Sequence, residues 1–120
     1  MKNKKRFYIR GDDTPLTFEE WCKNKKNLEK GSYLIIQSRN GGILVSTVFL
    51  GVDHNYFGKI PILYETMVFG GEFDRESKRY HTEKEALVGH TEFLEKLQFP
   101  FIDIFYAKLR IIYYITFMHR

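Results

Sequence analysis

Tyr33-Leu-Ile-Ile-Gln-Ser-Arg39 and Gly42-Ile-Leu-Val-Ser-Thr-Val-Phe-Leu50 are two apolar, β-branched runs separated by Asn40-Gly41. That dipeptide tolerates positive φ at both positions, which a type I′ turn requires to close a two-residue hairpin. With Arg39 set against Gly42, Ile36 opposes Val45 and Leu34 opposes Thr47. Alternation then puts Leu34, Ile36, Ile43, Val45 and Phe49 on one face, and Tyr33, Ile35, Leu44, Val48 and Leu50 on the other. Both rows are largely apolar. The hairpin is therefore expected at the centre of a sheet, covered at least in part on both sides.

Working outward, Phe7 to Arg10 reads as a short edge strand, and Gly-Asp-Asp-Thr-Pro (11–15) as a turn. Thr17-Phe-Glu-Glu20 is a capping box that opens a first helix, with Phe18, Trp21, Cys22 and Leu28 on one side and Gly31 as its stop. After the hairpin comes an eleven-residue loop, Gly51 to Pro61, then a third strand, Ile62 to Phe69, closed by Gly70-Gly71. Glu72 to Ser77 is charged and reads as exposed. Thr82-Glu-Lys-Glu85 is a second capping box, and its helix runs to about Leu97 with Ala86, His90, Phe93 and Leu97 inward. Gly89, which costs about 1 kcal/mol against Ala in a helix, marks a close approach by another backbone or a ligand. Pro100 ends the helix. The expected fold is α+β: an antiparallel sheet of three to five strands around the hairpin, with two packed helices, in one domain over residues 1–100.

Residues 101–120 form an apolar extension, packed on the domain or at an oligomer contact. Helix and strand both fit Phe101 to Met118. Asp103, Lys108 and Arg110 within it disfavour a membrane span, because each would cost ~2.5–3.5 kcal/mol near a bilayer centre.

A chain of 120 residues with 43% hydrophobic content suits one packed core and excludes wholesale disorder. One cysteine, Cys22, excludes an internal disulfide and reads as a small buried hydrophobe. Residues 1–10 lack the apolar core of a secretory signal, so a reducing cytoplasm is expected. The net charge of +4 arises wholly within residues 1–30, which hold nine cations against five anions. A solvated tail and helix face account for that excess, which disfavours nucleic acid as a partner and rules against an acidic DNA mimic.

Six residues are candidates for a ligand pocket: Asp53, His54, Glu65, Arg79, Tyr80 and His90. Glu65 shares a strand row with Leu63, Met67 and Phe69, and a carboxylate there needs either a ligand or a partner such as Arg79. His90 lies on an apolar helix stripe, either as a hydrogen-bonded core residue or beside space opened by Gly89. Asp53 could orient His54 for acid–base chemistry, or form an Asx turn. Arg79-Tyr80-His81 leads into a helix start, where free amides suit an anion unless Glu83 and Glu85 repel it. No short metal-ligand spacing occurs, and neither a metal nor a cofactor is expected.

Val45-Ser-Thr-Val-Phe-Leu-Gly-Val-Asp-His-Asn55, Pro61-Ile-Leu-Tyr-Glu-Thr-Met-Val-Phe69, Arg79-Tyr-His-Thr82, Glu85-Ala86 and Gly89-His90 resemble a small bacteriophage and prophage protein family of uncharacterised function. The likeness covers roughly residues 17–97. Gly58-Lys-Ile-Pro61 departs from the family's Gly-Pro-Pro, and the segment after Pro100 has no counterpart. The resemblance implies a host-cell cytoplasmic setting, and no reaction. If the six candidates converge at one sheet edge, they make a pocket for a small anionic ligand. Three functions follow. The first is a non-enzymatic phage accessory protein that binds a host factor or a nucleotide-like ligand, in host takeover or anti-defence. The others are a small hydrolase using His54 and His90 with Glu65, and a structural protein that oligomerises through residues 101–120.

Overall fold

In the computed structural model, which describes residues 5–24, 33–55 and 58–118, the hairpin is the start of a four-stranded antiparallel meander. Its strands are β1 (Leu34–Asn40), β2 (Ile43–Phe49), β3 (Tyr64–Phe69) and β4 (Ser77–Tyr80), paired in sequence order. A short helix, α1 (Phe18–Lys23), precedes the sheet, and α2 (Glu83–Lys96) and α3 (Phe101–Tyr113) follow it. The α+β class and the antiparallel hairpin are as expected, but the hairpin is not central: β1 is an edge strand, and of the two only β2 lies inside the sheet.

The turn is displaced by one residue from its expected place. Asn40 pairs with Ile43, so Gly41-Gly42 is the two-residue loop, and of that pair only Gly41 takes a positive φ, 60°. Asn40 has no positive φ, so the type I′ reading does not hold. The register moves by two: Ile36 opposes Thr47 and Ser38 opposes Val45. A shift of two leaves each side chain on its expected face, because strand side chains alternate with period two.

A break in that alternation lies between Leu34 and Ile36. Ile35 and Ile36 are both buried, and Leu34, now opposite Val48, is turned to the outer face and is 43% exposed. This is the two-against-one count of a β-bulge. The Ile35 carbonyl at the bulge accepts a hydrogen bond from Arg110 of α3 at 2.7 Å.

The inner face carries Ile36, Val45, Thr47, Phe49, Tyr64, Thr66 and Val68, all buried against the helices. Leu44, Val48, Glu65 and Met67 on the other face are only half-buried, and Phe69 is exposed. Coverage on both sides is therefore not what the hairpin has. β4 was not legible as a strand: Ser-Lys-Arg-Tyr is polar because three of its four side chains are exposed at the sheet edge.

Both capping boxes form. Thr17 and Thr82 accept from the amides of Glu20 and Glu85, and those carboxylates return to the threonine amides. α1 buries none of its residues, and Cys22 is exposed, contrary to its reading as a buried hydrophobe. Phe7 packs on Phe18 and Trp21 and makes isolated bridges to Leu16 and Val52 instead of a regular edge strand. Leu28 and Gly31 lie outside the described residues.

The extension after residue 100 is helical. Pro100 caps α3, and a π-helical turn, Tyr114–Met118, continues it. α3 folds back antiparallel on α2, with Lys108 against Glu95 at 3.5 Å. No helix among the described residues is long and apolar enough to cross a membrane.

Candidate functional site

Strand parity sends the expected pocket residues to different places. Thr66 points inward and Glu65, one residue before it, points outward. On the outer face Glu65 stands opposite Arg79 across β3 and β4 and accepts from its Nε at 3.1 Å. Arg79 is half exposed, so this pair contributes about 0–1 kcal/mol.

His90 is on the other side of the sheet, with no exposed surface. Its Nε2 lies 2.9 Å from the Ser38 hydroxyl and its Nδ1 lies 2.8 Å from the Thr47 hydroxyl, which in turn bonds Thr66 across β2 and β3. Four polar side chains thus form one hydrogen-bonded chain beneath α2. Burial, and then the positive charge of Arg110, lower the His90 pKa to about 4, so the ring is neutral at pH 7. With both nitrogens engaged and no access to solvent, His90 is a core histidine.

Tyr80 explains Gly89. A Cβ on Gly89 would sit 2.1 Å from the Tyr80 hydroxyl, so the helix gives up a side chain to admit the ring. The hydroxyl is buried and comes near Thr66 without making a hydrogen bond of ordinary geometry. The close approach at Gly89 is made by a phenol from β4, not by the backbone or ligand expected there.

Asp53 is buried and holds the long loop. Its carboxylate pairs with Arg6 and accepts from the amides of Asn55 at 2.8 Å and Ile62 at 3.0 Å. Among the described residues it makes no hydrogen bond to the His54 ring, and His54 itself is half-buried. The Asx-turn reading holds. At the start of α2, Glu85 accepts from the amides of His81 and Thr82, so the protein's own carboxylate occupies the place an anion would take.

The six candidates therefore do not converge. What the tertiary structure assembles instead is a cleft of about 630 Å³ between the Ile9–Asp13 segment, the inner end of β3, the start of α2 and the π-helical turn. Its floor is apolar, with Phe49 and Tyr64 in contact at 5.3 Å between ring centroids. Arg10 and Glu83 face each other there in a two-point ion pair, at 3.1 and 2.9 Å. Tyr114 closes one side, and His81 donates from Nδ1 to the Pro61 carbonyl at 2.8 Å on another. The partners are far apart in sequence, Arg10 and Glu83 by 73 residues, and no local pattern joins them.

No group of three or more His, Cys, Asp or Glu side chains that could hold a metal ion occurs among the described residues. The chain matches no protein-family model, and neither a curated protein nor a solved structure is significantly similar to it.

Proposed function

We propose that this chain is a non-enzymatic binding protein whose working surface is the outer side of α3, and that a second copy of the chain docks there. One observation carries this reading: α3 has two apolar seams and the domain covers one. Ile104, Ala107, Ile111 and Tyr114 pack toward the core. Ile102, Phe105, Leu109 and Ile112, with Phe101, Tyr106 and Tyr113 beside them, face away and are 44–76% exposed. Each seam steps by three, four and three residues, the spacing of helix-on-helix packing.

The outer seam contains no charge. Lys108 is drawn to Glu95 and Arg110 to the β1 bulge, so the described part of α3 has no free cationic fringe for lipid headgroups. The exposed parts of those seven side chains amount to on the order of 800 Å², about what one partner contributes to a stable interface. It also exceeds the patch a monomer ordinarily leaves bare. An uncharged helix face can pack on its own copy about a two-fold axis, each residue meeting its symmetry-related counterpart. That Glu65, Arg79, Asp53 and His90 are each held in structural contacts supports binding over hydrolysis. The family resemblance supports an accessory role in the cytoplasm of a phage-infected or lysogenic host, in host takeover or anti-defence.

Sedimentation of the full chain over a range of concentrations tests the dimer. A dimer mass that dissociates on dilution is expected, and Leu109→Glu with Ile112→Glu should give a monomer with unchanged circular dichroism. A wild-type monomer at every concentration, whether or not it pellets with anionic vesicles, would overturn the reading, as would a dimer in the double variant.

A further inference from the structure

We infer that the cleft beside the Ile9–Asp13 segment binds a small organic cation, an ammonium group carried on an aromatic or branched apolar body. The key group is Tyr64. It is 7% exposed and lines the cleft, and its hydroxyl makes no hydrogen bond with any described residue. The Tyr64 hydroxyl reaches solvent, unlike that of Tyr80, and with no partner in the described protein it is open to a ligand in the cleft. Burial, and then the carboxylate of Glu83, hold its pKa above the ordinary range, so the group is a neutral hydroxyl whose oxygen can accept from an ammonium.

The cleft volume of about 630 Å³ is that of a small-molecule site. Its walls include Phe49, Tyr64, Tyr114 and Phe117, and ring faces attract a cation while giving an apolar body something to pack on. The charge balance excludes an anion. Arg10 is bound at two points by Glu83, and the amides of His81 and Thr82, just before α2, are taken by Glu85. Asp13, on the rim, then sets a negative sign at the mouth. The small anionic ligand expected from the sequence rested on convergence of Asp53, His54, Glu65, Arg79, Tyr80 and His90; none of them lines this cleft, and Arg79 and His90 lie on opposite faces of the sheet.

Titration of the full-length protein with benzylammonium, benzyl alcohol and benzoate, followed by amide and side-chain NMR shifts, tests the assignment. Benzylammonium should give saturable shifts centred on Tyr64, Thr82 and Tyr114 up to about 10 mM, with benzyl alcohol weaker and benzoate silent. Tyr64→Phe, which keeps the ring, should weaken binding roughly 10-fold, and Asp13→Asn up to about 5-fold. Equal or stronger binding of benzoate would overturn the proposal. So would benzylammonium shifts that map elsewhere or are missing, or an affinity that Tyr64→Phe leaves unchanged. None of the seven outer-seam residues lines the cleft, so shifts that map to Tyr64 and Thr82 are distinguishable from those of dimerisation.

Discussion

α2 and α3 make opposite use of similar lengths of helix. α2 is amphipathic and polar on average, yet buries seven of its residues, among them His90 and Thr91. α3 is much the more apolar, yet Ala107 alone among its residues is buried. The difference teaches that apolar content does not decide burial; the faces available for packing do. α2 lies across all four strands, so even a histidine on it is taken out of water. α3 has α2 on one side, and its second seam has nothing from the described domain to pack on. The proposed dimer rests on that seam.

Substitution at His90 should show the contrast most strongly. His90→Ala removes a ring at a site with no exposure, takes away the Ser38 hydroxyl's partner and leaves the Thr47 hydroxyl with Thr66 alone. We expect a loss of about 3–5 kcal/mol in urea unfolding at fixed protein concentration. A loss below about 1 kcal/mol would mean that the polar chain beneath α2 contributes little.

Acid should act on the same residue more gently. The folded pKa of about 4 lies below the ordinary value of 6.5, so below pH 6.5 the unfolded chain binds the extra proton and stability falls. The His90 contribution is fully present above about pH 6.5 and is lost as pH falls toward 4, to a total of about 3 kcal/mol. The difference between wild type and His90→Gln isolates the histidine, and parallel pH profiles for the two would refute the assignment.

Leu109→Gln, on the outer seam, is expected to have the smallest effect on the fold. Stability measured under monomeric conditions should change by no more than about 0.5 kcal/mol, because the side chain has no core contact to lose. A loss above 2 kcal/mol would mean that this face is packed within the chain, and the contrast between the two helices would disappear.

Much of the local architecture was legible because it depends on near neighbours. Thr17 with Glu20, and Thr82 with Glu85, cap helices across three residues, and the apolar runs on either side of residues 40–42 can only be a hairpin. Rows of alternating residues were also readable, since parity survives a register shift of two. The reading failed wherever the answer depended on a group far away in sequence. Ile35 bulges beside an arginine 75 positions on, and Arg10 pairs with Glu83 across 73 residues. Glu65 has its expected partner Arg79, but the pair faces outward because α2 lies on the opposite side.

By itself, then, the sequence determined the hairpin, β3, the two capped helices and most of the residues that share a face, because these follow from dihedral preference and periodicity over a few positions; β4 and the helical state of residues 101–118 it did not determine. Only the tertiary structure decided which face is inside. It buried His90 in a hydrogen-bonded chain, brought Arg10, Tyr64, Glu83 and Tyr114 around one cleft, and left the outer seam of α3 bare. The reason is physical: burial and close approach depend on where distant elements pack, and no local spacing encodes that.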